Sequence, residues 1–320
     1  MNTFTQKQDR LLKLITKPCC EESDFSEIVN GLNIDTAKMG YLSGLSYIGH
    51  RYGWDKLPQN IEPRISGLRR QRTVTFMYVS KGVEKLIDRW NKEGILYFVF
   101  GDFALKLHGI LDDSFRIPEM KVFIHDNNLA MAVKYAAAEG FVGRNDGSSF
   151  ILKNGFCTVR IYTAQTMNVP QISNISTRAI NKKINGIDYC IASCADLLML
   201  SLYDAWKLFL SDFNNDTFFM AVWKACNILK FESYSNMKTT ICNYTVTAPL
   251  LFLLKLISQY TSDQNFSEDF SQKHTLHDRY ITFLIYCSEH ASKKTGICYR
   301  GFRFIQRRLL TKKLKKDHIM

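Results

Sequence analysis

The sequence lacks the short signatures that would assign a chemistry at once. It has no Gly-x-Ser-x-Gly elbow, Walker lysine or Rossmann glycine fingerprint. Nothing therefore supports a hydrolase of the α/β type, a P-loop enzyme or a dinucleotide-binding protein. The nine cysteines are scattered singly or in weak pairs (Cys19 with Cys20, Cys190 with Cys194), and no two Cys-x-x-Cys motifs occur. That excludes a zinc ribbon and makes a reduced, cytosolic chain the simplest expectation. The longest apolar run, residues 248–257, is interrupted by Lys255, whereas a bilayer span needs about 20 apolar residues. Residues 1–7 lead into a mixed polar segment rather than the apolar core of a signal peptide. No internal repeat and no low-complexity block is present.

Acidic residues are nearly missing from one region. Residues 291–320 carry ten bases (Lys293, Lys294, Arg300, Arg303, Arg307, Arg308, Lys312, Lys313, Lys315 and Lys316) against the single acid Asp317, so +9 of the chain's +12 sits there. The rest of the protein is close to balanced. Within this tail Phe302, Ile305, Leu309, Leu310 and Leu314 fit one side of a helix. Three readings stay open for it: an anionic membrane surface as partner, nucleic acid bound through its phosphates, or a solvated helix packed by its leucines. The expected localisation is cytoplasmic, with peripheral association at an inner membrane surface under the first reading. His274 and His277 beside Asp278 form an isolated H-x-x-H in a polar stretch, a weak metal signal that reads more simply as surface.

What is present is a pattern of apolar periods. Residues 8–90 read as helical: Val79, Val83, Leu86, Ile87 and Trp90 recur at the helical spacing, Pro58 and Pro63 mark a turn, and Gly94 suits a C-terminal cap. The continuous apolar run 95–100 reads as a buried strand, 102–108 as a short helix opened by Asp102, and 120–124 as a second strand. Asn127 or Asn128 is a candidate N-cap for a helix through Leu129, Val133, Ala136 and Ala137 that Gly140 ends. Asn154-Gly155 between two apolar segments predicts a hairpin. A short strand at 189–192 follows Asn185-Gly186, and Ser193-Cys194-Ala195-Asp196 has the form of a capping box opening a long helix. Further helices are expected at 218–229, 249–260 and about 280–290, with a polar loop at 262–276. The expected fold is α+β: a small mixed-sheet core at 94–192, helical regions at 1–93 and 193–290, and the basic tail at 291–320.

The order and spacing of several motifs then matter. Lys92-Glu93-Gly94-Ile95 leads into the first strand, Phe100-Gly101 and Ala104-Leu105 form a glycine turn and helix, and Asp112-Asp113 and Arg116 lead to Glu119-Met120-Lys121-Val122-Phe123-Ile124. Ala195-Asp196-Leu197-Leu198 opens the later helical region. Over about residues 25–232 this layout resembles an uncharacterised bacterial nucleotidyltransferase family related to the polymerase-β-like superfamily. The resemblance implies a nucleotidyltransferase-like core, and a setting in bacterial surface-polysaccharide or modified-peptide production. It also implies a site in which two acids at i and i+2 of one strand, sharing a face, and a third acid on a neighbouring strand hold two Mg²⁺ ions and a nucleoside triphosphate.

The chain departs from that pattern. Glu119 stands at the first acid position, Lys121 at the second, and Arg160 where the third acid is expected. Three carboxylates would carry about −3, whereas this set carries +1, and Mg²⁺ requires hard oxygen ligands. Asp102 also takes the place of the small residue that usually follows the glycine. The leading expectation is a catalytically impaired nucleotide- or anion-binding protein using Gly101, Arg116, Lys121 and Arg160, with no resident metal or cofactor. An ion pair between Glu119 and Arg160 across an exposed strand end is the bland alternative. An active enzyme would instead use Mg²⁺ with a nucleoside triphosphate, drawing on Glu119, Asp102 and one of Asp112 or Asp113. Otherwise Asp112 and Asp113 read as a solvated turn, and Gly101 as an ordinary turn glycine.

Overall fold

The computed structural model describes residues 6–16, 28–29, 37–167, 172–211, 215–242, 244, 253–254 and 256–261. The basic tail, the H-x-x-H pair, the expected loop at 262–276 and the expected helix at 280–290 lie outside the described residues, as does part of 249–260. The chain divides into two compact units, Gln59–Leu197 and the described residues of Met1–Pro58 with Leu198–Met320.

The first unit is built on one sheet. Its strands are β1 (Tyr97–Phe100), β2 (Met120–Ile124), β3 (Val142–Asn145), β4 (Phe150–Asn154), β5 (Cys157–Tyr162), β6 (Ile180–Ile184) and β7 (Ile187–Ile191). They lie in the order β3-β4-β5-β2-β1-β7-β6. β2 runs antiparallel to β1 and parallel to β5, and β7 runs parallel to β1. The fold class is thus α+β with a mixed seven-stranded sheet, as the motif order leads one to expect. The 97–100 and 120–124 strands fall where the apolar runs place them. β3 and β6 were not expected from sequence. Both are edge strands, fully exposed in β3 and mostly so in β6, so neither carries the apolar alternation that reveals a half-buried strand.

The predicted hairpin forms, as does a second between β6 and β7, and their turns differ. Asn154 pairs with Cys157, so the loop is Gly155-Phe156 rather than Asn154-Gly155. A positive-φ glycine first in a two-residue loop suits a type II′ turn. Ile184 pairs with Ile187 across Asn185-Gly186, both at positive φ, as a type I′ turn requires.

Three helices cover one face of this sheet. They are α3 (Glu62–Lys92, with Pro63 in its first turn), α4 (Gly101–His108) and α5 (Leu129–Ala138). Trp90 on α3 is fully buried, its ring lies 5.7 Å from that of Tyr97, and its Nε1 donates to the Ala132 carbonyl of α5 at 3.1 Å. Phe103 on α4 meets Phe76 of α3 and Tyr189 of β7. The sequence reading separated residues 1–93 from the core at 94, but α3 packs on the sheet and shares its unit. The structure also differs at the start of α5. Residues 126–128 form a 3₁₀ turn running into the helix, so Asn128 has a helical backbone conformation and its side chain makes no capping hydrogen bond. An N-cap residue needs extended dihedrals to reach back.

A short helix, α6 (Ile172–Arg178), precedes β6. The long helix α7 (Cys194–Ser211) begins where the capping box predicts: the Asp196 N–H donates to the Ser193 hydroxyl, which in turn donates to the Asp196 carboxylate at 2.6 Å. Asp196 is fully buried, and Arg178 balances it with an ion pair at 2.6 Å.

The second unit is helical. It contains α1 (Gln6–Thr16), α2 (Met39–Tyr52), most of α7, α8 (Asn215–Phe231) and α9 (Tyr234–Cys242). The Asp216 carboxylate accepts from the Gly40 N–H at 2.9 Å, and Tyr47 meets Trp223 edge-on at 5.6 Å. Leu11, Leu12 and Ile15 of α1 are fully buried, which is the apolar face that their spacing predicts.

Candidate functional site

The face of the sheet opposite α3 carries the candidate residues. Alternation along each strand sends Tyr97, Val122 and Val159 toward the helices and Phe100, Lys121 and Arg160 to the other side. Register aligns the latter three: Phe100 pairs with Lys121, and Lys121 pairs with Arg160. The site therefore lies where β1 ends and β2 begins, bordered by an aromatic patch. Phe100 meets Tyr162 at 5.5 Å, and Phe98 stacks on Phe123 at 5.0 Å.

Gly101 makes the turn from β1 into α4 with φ +70. A side chain is strained in that region, and a Cβ here would also come within 3.2 Å of the Lys121 Cδ. Gly101 is thus a turn glycine over which the Lys121 stem lies. Asp102 sits in the first turn of α4 and is half-buried. Lys121 is likewise half-buried.

Arg160 organises the centre. Its Nε donates to both carboxylate oxygens of Glu119 at 3.2 Å. Its Nη1 donates to the Asp146 carboxylate at 2.8 Å and to the Ser149 hydroxyl at 3.0 Å. Burial disfavours the charged guanidinium, but the charge and hydrogen bond of Glu119 outweigh this and raise its proton affinity, so it is a fixed cation. Asp146 sits in the turn between β3 and β4. Desolvation pushes its carboxyl up, yet donors from the hydroxyl and backbone of Ser148 and then of Ser149 hold it well below the usual carboxylate range.

The sequence reading missed Asp146. Its signal was an Asp-Gly step, Asp146-Gly147, ahead of an apolar run, the same kind of hairpin mark that located Asn154-Gly155. With Asp146 included, two acids face two bases, and the set is neutral rather than +1.

The other candidates lie apart from this network. Arg116 is exposed in the segment before β2. Asp112 and Asp113 do not form a solvated turn. Asp112 pairs with Arg69 of α3 at 2.8 Å, and Asp113 pairs with Lys106 of α4 at 2.6 Å, with all four side chains largely covered. The reason is local: Asp112 accepts from the Ser114 N–H and hydroxyl, which folds the loop back onto α3. Cys194 is buried and Cys190 is half-buried.

Mg²⁺ with a nucleoside triphosphate is the cofactor set that the resemblance implies, and these donors do not suit it. Mg²⁺ needs carboxylate oxygens free to bind it, but both nearby carboxylates, Glu119 and Asp146, are held by one guanidinium. Among the described residues, no group of three or more His, Cys, Asp or Glu side chains is placed to hold a metal ion.

Two solved structures overlap part of this fold. The antibiotic-resistance factor ANT(2'')-Ia, solved in solution, aligns with a TM-score of 0.40 at 9% identity over 53% of this chain and 91% of its own. An antigenic nucleotidyltransferase-like protein from Paracoccidioides brasiliensis aligns with a TM-score of 0.37 at 14% identity over 52% of this chain and 86% of its own. No protein-family model and no curated protein sequence matches the chain. Overlap this loose carries no functional argument, which rests on the side chains.

Proposed function

We propose that this chain is a nucleotidyltransferase-fold protein that binds a nucleotide or another anion without metal-dependent transfer, as an accessory component. The motif order from Lys92 to Ile124 supports the family reading, and with it a setting in bacterial polysaccharide or modified-peptide production. One observation carries the loss of transfer activity: the Arg160 guanidinium lies between Glu119 and Asp146. A cation fixed on the protein occupies the carboxylates that a divalent ion would need. It neutralises them permanently, but it cannot accept phosphate oxygens as ligands or activate an attacking hydroxyl. The site then offers half-buried Lys121 and Tyr162 over the buried aromatic layer of Phe98, Phe100 and Phe123. A cation beside a half-buried phenol ring suits a nucleotide or another anion held without a bridging metal.

The test is incubation with each nucleoside triphosphate and Mg²⁺ or Mn²⁺, read by nucleotide consumption, together with nucleotide-binding calorimetry in EDTA. The expected result is no turnover and binding that EDTA leaves unchanged. Metal-dependent consumption abolished by Glu119→Gln refutes the proposal. That outcome favours an active enzyme in which Glu119 and Asp102 carry the metal.

A further inference from the structure

A second cationic centre lies beside the loop that enters β2, and the Glu119 network does not use it. Arg72 of α3 is only 4% exposed. Its Nη1 donates to the Ser114 carbonyl, while its Nη2 is enclosed and has no hydrogen-bond partner. An unpartnered donor on a buried cation is among the costlier arrangements a fold can hold. Around it stand Arg69, one turn earlier on α3, and Arg116 from the loop. Burial weakens the hold of Arg72 on its proton, Asp112 opposes that effect, and Arg116 and Arg69 add to it. The nearest acid is already engaged, because Arg69 donates to Asp112 at 2.8 Å and to the Ser114 hydroxyl at 2.8 Å. On the far side, Lys106 and Asp113 neutralise each other. Arg69 and Arg72 therefore both lean on the carboxylate of Asp112, and Arg116 adds a third positive charge beside Arg72.

We propose that Arg72 and Arg116, supported by Arg69, form a binding site for a phosphate group. A tetrahedral oxyanion supplies what this centre lacks: acceptor oxygens for Nη2 and negative charge against three cations. Guanidinium is the group best matched to it in shape and charge. Exposed Arg116 marks the side from which an oxyanion approaches this centre. The inference does not depend on the reading of the Glu119 site.

The test measures the thermal unfolding midpoint of the full chain in sodium phosphate, and in adenosine monophosphate, against sodium chloride at equal ionic strength. At about ten times the dissociation constant, a specific ligand raises the midpoint by about 2 °C or more. The expected result is a rise in one or both ligands that Arg116→Gln and Arg72→Gln abolish and Lys153→Gln, at an exposed cation of β4 outside both sites, keeps. A rise with phosphate alone, or with both, indicates that the bare anion suffices. A rise with the nucleotide alone identifies the phosphate as part of a larger ligand. Arg116 is exposed, so its variant remains folded even if Arg72→Gln does not. The proposal is overturned if neither ligand exceeds chloride, if the rise survives Arg116→Gln, or if Lys153→Gln removes it as well.

Discussion

Replacing Arg160 by glutamine tests the central electrostatic claim directly. Arg160 is 25% exposed and Glu119 20% exposed, so their pair is neither fully screened nor fully dry. Exposed pairs contribute about 0.2–1 kcal/mol and broken buried pairs cost about 3–5, which places the Glu119–Arg160 coupling at about 1–2 kcal/mol. The larger effect is on cations. A divalent ion near Glu119 and Asp146 would meet the guanidinium at ~4 Å, a repulsion of about 2 kcal/mol even at the dielectric of water and several times more in a partly covered site. Arg160→Gln removes this repulsion, frees both carboxylates and takes the set from neutral to −1. Affinity for Mn²⁺ then rises by about thirty-fold or more. Calorimetric titration of wild type and variant with Mn²⁺ reads the change. The reasoning fails if wild type already binds Mn²⁺ as tightly as the variant, because Arg160 would then not be excluding the ion.

Other consequences are open to measurement. Gly101→Ala places a side chain at φ +70 and costs about 1–2 kcal/mol, read by chemical denaturation, and it pushes the Lys121 stem aside. Trp90→Ala opens a cavity between α3, α5 and the sheet and removes the Nε1 hydrogen bond to the Ala132 carbonyl, a loss of about 3–5 kcal/mol on the same assay. Acid should destabilise the protein in a defined window. In Asp9 and Asp113 desolvation pushes the carboxyl up, but hydrogen bonds and charge from Lys13 and Lys106 outweigh it, so both end below their ordinary value, as does Asp146. A depressed folded pKa contributes stability above the unfolded value of about 3.9 that is lost as pH falls through the folded one. Unfolding midpoints should therefore drop below about pH 4, and less steeply in Asp113→Asn.

The sequence revealed the elements that are buried and periodic, and concealed those that are not. β1 and β2 are covered on both faces, so their composition marks them, whereas β3 and β6 expose nearly every side chain and read as loop. The capping box at Ser193 was legible because a cap is a local arrangement. Its partner Arg178 was not, because that contact depends on where α6 comes to rest. The same division explains the site. Glu119, Lys121 and Arg160 could be picked out because the family resemblance implies acids at their positions. Asp146 could not be assigned to them, since only the antiparallel pairing of β3 with β4 and β4 with β5 brings its turn beside Arg160.

This distinction bears on whether the Glu119–Arg160 contact is an incidental surface pair or a remodelled site. An incidental pair needs two side chains and tolerates the loss of either. Here one guanidinium makes bonds to Glu119, Asp146 and Ser149, while Asp146 is itself fixed by Ser148 and Ser149. A cation held by three partners on two elements is preorganised, so exchanging it for lysine should not preserve the arrangement, because an ammonium is a point charge without the planar fork. Arg160→Lys retains the charge and loses the geometry. If the network positions Lys121 and Tyr162 for a ligand, this variant keeps Mn²⁺ out yet weakens nucleotide binding measured in EDTA. Equal binding by both proteins would show that charge alone matters there, and that the contact is only an ion pair on a strand.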